Sequence, residues 1–143
     1  MNKIEFSKEL IKGRIAEVVF EQLFRSTGRF TVIPFGYEYA FPELAQYQDS
    51  LANREVLDNI RTAPDFALIS QDKKDVHLVE VKFRRSLFKQ ELLECANEQV
   101  KRWDPSYIFV ASLDGLFFDS CESIIQKQGE VGSLPDSRVS RET

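Results

Sequence analysis

The hydrophobic pattern is strongest near the start of the chain, where it predicts a helix over residues 8–27. Ser7 suits the N-cap position, and Gly28 suits the position just after the last turn. The apolar side chains of this segment occupy most of its circumference: Leu10, Ile11, Ile15, Ala16, Val18, Val19, Phe20, Leu23 and Phe24. Because only a narrow sector is polar, we expect the helix to be buried on more than one side.

Farther along, short apolar stretches predict strands, and one longer periodic segment predicts a second helix. The predicted strands are 30–36, 65–70, 75–83, 107–112 and, after a tight turn at Asp114-Gly115, 116–118. Pro34 indicates an edge strand or a bend. The second helix spans 87–103, and residues 41–62 look weakly helical. This order predicts an α/β fold, a mixed β-sheet flanked by helices.

Length and composition indicate one domain. The chain has 143 residues, of which 43% are hydrophobic, enough for one well-filled core. We expect the domain to span 1–128, with 37–63 as a variable insertion. Residues 129–143 are polar and are expected to form a loose tail.

The net charge and the distribution of apolar residues restrict the classes of function to be considered. The net charge of −4 argues against a basic module that grips nucleic acid by charge alone. It leaves a nuclease open, because a bound divalent cation supplies positive charge at the phosphate. The chain start is charged, and no apolar run could span a bilayer. We therefore expect a cytoplasmic protein with no membrane contact, in which Cys95 and Cys121 are reduced and packed.

Candidate chemistry lies in the predicted hairpin. Alternation in 78–83 places Glu80 and Lys82 on one face of an otherwise apolar strand. An even-numbered loop before it would set Ser70 opposite Asp75, and counting inward from that pair sets Asp65 opposite Glu80. Like charges at opposed positions destabilise a sheet, whereas a divalent cation between them would remove the penalty.

The same residues have a purely structural interpretation. Asp65 would cap a strand start after Pro64, and Glu80 would pair with Lys82 on a solvated face. For Asp65 alone, or for Glu80 alone, the structural interpretation is preferred. The presence of both Glu80 and Lys82 in one otherwise apolar strand favours a functional role, because buried charges are costly unless they are paired or functional.

Pro64-Asp65, fourteen further residues and then Glu80-Val81-Lys82 resemble the motif of the PD-(D/E)XK nuclease superfamily. Residues 13–17, Gly-Arg-Ile-Ala-Glu, are similar to the first-helix Gly-x-x-x-Glu of several branches. Residues 99–103 are similar to the Gln-x-x-x-Tyr helix of the RecB-like branch, with Trp103 in place of Tyr. The resemblance covers residues 13–111. It implies a restriction-endonuclease-like fold with an αβββαβ core.

The resemblance also implies roles for these residues. Asp65, Glu80 and the Val81 carbonyl would hold Mg²⁺, for which Mn²⁺ should substitute. Lys82 would orient the attacking water or stabilise charge on the phosphate. Glu17 is either a ligand at the metal site or a solvated side chain, with Glu21 as its competitor. Gln99 either hydrogen-bonds to a water or phosphate at the site or is a surface residue.

A DNA endonuclease is the function that these features favour. Candidate phosphate contacts, each of which could also be an ordinary solvated charge, are Arg84, Arg85, Lys89, Lys101 and Arg102. We expect a homodimer, because one site cuts one strand and a two-fold pair cuts both. The alternatives are an inactive nuclease-fold module that binds nucleic acid or protein, and an unrelated metal-dependent hydrolase or interaction domain. His77 has the wrong parity for the site, and Trp103 is expected in the core.

Overall fold

The computed structural model describes residues 2–36 and 63–134. In these ranges the helices and strands follow one another as α1 (Lys3–Ser26), β1 (Phe30–Pro34), β2 (Phe66–Ser70), β3 (Val76–Arg84), α2 (Lys89–Arg102), β4 (Ser106–Ser112), β5 (Gly115–Ser120) and α3 (Cys121–Gln126). The predicted order helix–strand–strand–strand–helix–strand is confirmed. The weak helix predicted at 41–62, and the insertion apart from Ala63, lie outside the described residues.

The strands form one mixed sheet in the order β1-β2-β3-β4-β5. All neighbouring pairs are antiparallel except β3 and β4, which are parallel and are joined through α2. A parallel pair needs such a crossover, whereas β2 and β3 need only a short loop. Pro34 ends β1 at an edge of the sheet, as its missing N–H predicts. The expected α/β class is confirmed.

The sheet separates two apolar layers, and alternation along β3 decides which side chain enters which layer. Val79 is fully buried on the face that packs against Ala16 and Phe20 of α1. The opposite face of the sheet carries Ile108 and Val110, which pack with Leu92, Ala96, Cys121 and Ile124 of α2 and α3. Glu80 and Lys82 stand beside Ile108 and Val110 in the register and therefore belong to the α2 side.

The first helix begins earlier than predicted. It starts at Lys3, because the Asn2 side chain caps it by accepting a hydrogen bond from the Glu5 N–H at 2.8 Å. Ser7 therefore lies inside the helix, and its assignment as the N-cap is wrong. The predicted stop is confirmed, since Gly28 adopts a positive φ of 68° directly after the Thr27 C-cap.

Burial of α1 on more than one side is not observed. Ala16 and Phe20 are fully buried against the sheet, but Ile11, Ile15 and Val18 on the outer side are 53–59% exposed. Within the described residues the outer apolar side chains have no partner layer. None of the helices in these ranges combines the length and the apolarity needed to cross a bilayer.

The end of the described chain is more structured than its composition predicts. The sequence pattern did not predict α3, although the Ser120 side chain caps it by accepting from the Ser123 N–H. Residues 129–134, expected to begin the loose tail, return to the sheet. The Phe118 N–H donates to the Gly132 carbonyl, and the Leu134 N–H donates to the Leu116 carbonyl. Any tail can begin only beyond residue 134.

Candidate active site

The β2–β3 register brings Asp65 and Glu80 together. Phe66 pairs with Val79, so one further step places Asp65 opposite Glu80. The Ser70 N–H donates to the Asp75 carbonyl at 3.0 Å, which makes every second pair from there a hydrogen-bonded pair. Asp65 and Glu80 therefore occupy a non-hydrogen-bonded position, where Cα atoms are only about 4.5 Å apart and side chains lie closest. The predicted register is confirmed.

Asp65 is fixed from two sides at the point where β2 begins. Its side-chain Oδ2 accepts a hydrogen bond from the Val81 N–H at 2.8 Å. Its own carbonyl accepts from the N–H groups of Phe35 and Gly36, at 2.8 and 3.1 Å, just beyond β1. The carboxylate thus takes the place of a ladder partner for Val81. Because the N–H and C=O of one strand residue face the same neighbouring strand, the Val81 carbonyl also faces this end of β2.

The pKa of the Glu80 carboxyl is strongly shifted by the residues around it. Burial raises the pKa of its carboxyl well above the ordinary value, and the neighbouring Asp65 carboxyl raises it further by charge repulsion and by a hydrogen bond to the protonated form. The Lys82 ammonium acts on the same pKa in the opposite direction, and Glu17 makes the smallest contribution, which is upward. The charges of Asp65, Lys82 and Glu17 therefore all act on the Glu80 carboxyl.

Gln99 reaches the same carboxyl from α2. It is only 6% exposed, and its Nε2 donates a hydrogen bond to Glu80 Oε2 at 3.2 Å. The surface-residue interpretation of Gln99 is therefore wrong. The buried amide closes the site from the α2 side and fixes the direction in which the Glu80 carboxyl points.

Glu17 lies at the margin of this group. Arg14 donates to Glu17 Oε2 at 2.9 Å from one turn earlier in α1, and the Glu17 side chain is 19% exposed. Glu21, the competing acid, lies 3.4 Å from Arg25, which also donates to the Val32 carbonyl. Of the two acids, Glu17 is the one that acts on the pKa of Glu80.

The donor set suits a hard divalent cation with few protein ligands. Two partly buried carboxyls stand side by side, and the raised pKa of Glu80 is the direction expected when a second negative charge has no counter-ion beside it. The Val81 carbonyl faces the same place. Mg²⁺ binds oxygen ligands of this kind and keeps several waters. In the described ranges no group of three or more His, Cys, Asp or Glu is arranged to hold a metal ion, so Glu17 does not complete a carboxylate triad in this conformation.

The predicted phosphate contacts differ in their surroundings. Four of the five pair with an acid: Arg84 with Glu91, Lys89 with Glu130 at 3.7 Å, Lys101 with Glu98 at 2.9 Å, and Arg102 with Glu98 at 3.8 Å. Arg85 is exposed directly after β3. Ion pairs near the surface contribute little to stability, but each of these four residues must leave its acid before it can bind a phosphate.

His77 takes the structural place expected of it, whereas Trp103, which was expected in the core, lies in neither core cluster of the described residues. His77 lies on the α1 side of the sheet, with its ring 5.3 Å from that of Tyr107 and 6.1 Å from that of Phe30. It is therefore on the opposite face from Glu80, as its parity predicts. Trp103 packs edge-on against Phe35 at 5.5 Å and is partly buried.

Cys95 is a neighbour of the site that the sequence pattern did not single out. Burial raises the pKa of its thiol, Lys82 lowers that pKa, and Glu80 raises it. The signal was present in the spacing, because Glu91, Cys95 and Gln99 recur every four residues and therefore share one face of α2. Burial also raises the pKa of the Cys121 thiol, to about 11. Both thiols are free, as expected.

No protein-family model matches the chain, and a search of curated proteins returned no relative. Among solved structures, one that matches is Hjc from Archaeoglobus fulgidus, described as a Holliday junction resolvase from an archaeal hyperthermophile. The identity is 14%, the match covers 78% of this chain and 74% of that one, and the TM-score is 0.40. A likeness this distant assigns neither a family nor a function.

Proposed function

We propose that this protein is a Mg²⁺-dependent nuclease that hydrolyses phosphodiester bonds in DNA, as an endonuclease. The observation that carries the proposal is the pairing of Asp65 with Glu80 on neighbouring strands, with Lys82 acting on the same carboxyl. Folding alone does not favour two opposed acids in a partly buried part of a sheet. A site that binds a divalent cation and a phosphate does need them.

The two carboxyls and the Val81 carbonyl hold the cation in this proposal. Asp65 is already aligned by the Val81 N–H, so little reorganisation is needed on binding. The bound cation supplies Lewis-acid polarisation of the phosphate and lowers the pKa of an attacking water. Mn²⁺, which accepts similar ligands, should substitute.

Lys82 and Gln99 act on the reacting groups and on their alignment. Lys82 follows Glu80 by two residues, so its ammonium is presented on the same face of β3. From there it orients the attacking water or stabilises the charge that develops on the phosphate. Gln99 holds Glu80 through its Nε2 donor. Glu17 acts from α1 as an outer carboxylate.

The test is a nuclease assay on supercoiled circular, linear, nicked and branched DNA, and on RNA. Each substrate is incubated with Mg²⁺, with Mn²⁺ or with EDTA. We expect the wild type to nick the closed circle in either metal and to be inactive in EDTA. Asp65→Asn should remove the activity. Asp114→Asn, which alters an exposed acid in the β4–β5 turn, should not.

Two results would contradict the proposal in different ways. If the folded wild type binds DNA but cuts no substrate in either metal, the inactive binding module is the better description. If cleavage persists unchanged in Asp65→Asn, the activity comes from a contaminant or from another site.

A further inference from the structure

The outer side of α1 presents an apolar stripe, which Ser7 and Lys8 interrupt after its first residue. It consists of Ile4, Ile11, Ile15 and Val18, which are 69, 59, 53 and 57% exposed. The last three line, with Arg14 and Val19, an open groove of about 560 Å³. Single exposed apolar residues are normal, but a contiguous row on one helix marks an interaction surface.

The spacing of the stripe is that of a helix that packs against another helix. Ile4, Ile11 and Val18 follow one another at intervals of seven residues, and Ile15 falls between the last two. Over Ile11, Ile15 and Val18 this is the a/d spacing of a short coiled coil, in which two such rows interdigitate, and the polar residues Lys8 and Gln22 occupy the a positions on either side. The opposite side of α1, with Ala16 and Phe20, is already occupied by the sheet.

We propose that this stripe is the interface with a second copy of the chain, formed by antiparallel packing of two α1 helices about a twofold axis. The charged residues beside the stripe favour a second copy of the chain as the partner. Arg14 and Glu21 lie seven residues apart along the same flank. When Ile15 faces Val18 of the second copy, Arg14 of each chain lies beside Glu21 of the other, because like flanks meet in an antiparallel pair.

The alternative register is disfavoured by the same charges. If Ile15 faced Ile11 of the second copy, the two Arg14 side chains would meet across the axis. Within a single α1 helix, Arg14 pairs with Glu17 at 2.9 Å, and Glu21 pairs with Arg25 at 3.4 Å. Both pairs are at the surface, so exchanging them for pairs between chains costs little. This inference depends on the surface of α1 and not on nuclease activity.

The experiment measures the mass of the full chain by sedimentation velocity over a concentration series. One pair of helix faces lies at the small end of stable interfaces, below about 1,200 Å² in total, so the series must reach high concentration. We expect the wild type to dimerise and Ile15→Glu to remain monomeric with an unchanged far-UV spectrum. Leu113→Glu, at a 76% exposed position in the β4–β5 turn, is the matched control and should dimerise like the wild type.

A charge reversal provides a second test that does not place an acid in the stripe. Arg14→Glu and Glu21→Arg should each weaken the dimer about tenfold, because two symmetry-related pairs become repulsive. The double variant should recover the wild-type affinity. A wild type that stays monomeric at every concentration would overturn the proposal, as it would if residues of the same chain cover the stripe. A dimer that Ile15→Glu leaves intact, or a double variant that fails to recover, would overturn it equally.

Discussion

The Asp65 carboxylate, one residue before β2 begins, accepts a 2.8 Å hydrogen bond from the Val81 backbone N–H of β3. This bond holds one carboxyl beside the next residue back along β3, Glu80, and the proposed function depends on that placement. β3 therefore provides one acid of the pair, Glu80, and also the Val81 N–H that holds the other acid, Asp65. Four consequences can be measured.

The first prediction concerns the pH dependence of stability. The pKa of Glu80 is raised in the folded chain by burial and by Asp65, so the folded state keeps this proton after the unfolded chain has lost it. In EDTA, stability should therefore fall as pH rises from the unfolded pKa, near 4.5, to the folded pKa, and should then level off. Glu80→Gln should remove that loss and be more stable at pH 8 by on the order of 1 kcal/mol.

Melting temperature against pH for both proteins tests this prediction. The difference in Tm should vanish well below pH 4.5, where Glu80 is protonated in both the folded and the unfolded chain. Adding Mg²⁺ at pH 8 should raise the Tm of the wild type and leave that of Glu80→Gln unchanged. Equal melting curves at pH 8 in EDTA would show that the paired acids carry no penalty.

The second prediction concerns Lys82. Lys82→Ala should reduce kcat by about 10²–10³-fold, because one donor to the developing charge is lost. It should also raise the pKa of Glu80 further, since the Lys82 ammonium now lowers it. Steady-state kinetics across pH separate the two effects. Lys74→Ala, in the exposed β2–β3 loop, should match the wild type.

The third prediction concerns Gln99 as a positioning residue. Gln99→Leu removes the donor to Glu80 Oε2, so the ionised carboxyl loses a favourable hydrogen bond. We expect metal affinity to fall about 10–100-fold and the acidic limb of the activity profile to move to higher pH. Gln99→His or Gln99→Asn, which retain a donor, should recover part of the loss. An unshifted pH profile would assign Gln99 a packing role only.

The fourth prediction separates the basic residues by their surroundings. Arg85→Ala should weaken DNA binding and reduce the slope of log K against log salt concentration by about 1. Lys101→Ala should have a smaller effect, because Lys101 lies 2.9 Å from Glu98 and must leave that pair to bind a phosphate. Binding isotherms at several salt concentrations give both slopes. Identical slopes for the two variants would refute this ranking.

The site was predictable because it depends on local parity. Alternation along 78–83 and the even loop after Ser70 fixed both the face of Glu80 and its partner Asp65, and the register agrees. The anchor of Asp65 on Phe35 and Gly36 was not predictable, because it joins residues on either side of a long intervening segment. Periodicity says nothing about such contacts.

Other differences have physical causes that the pattern does not encode. The start of α1 was misplaced because Asn2 and Ser7 are both competent caps, and the choice depends on which helical turn is stable. The apolar circumference of α1 was recognised, but a chain alone cannot show whether the second side is covered. The Lys101–Glu98 pair, by contrast, has the i,i+3 spacing that a sequence can reveal, and that signal was missed.

The central claim is that Asp65 and Glu80 together bind a divalent cation, and the most direct test is the anomalous scattering of crystals soaked in Mn²⁺ at pH 8. We predict one strong peak within about 2.3 Å of an oxygen of each carboxyl and of the Val81 carbonyl. The peak should be lost in crystals of Glu80→Gln. A peak elsewhere, or two carboxyls that turn apart with no ion between them, would contradict the account.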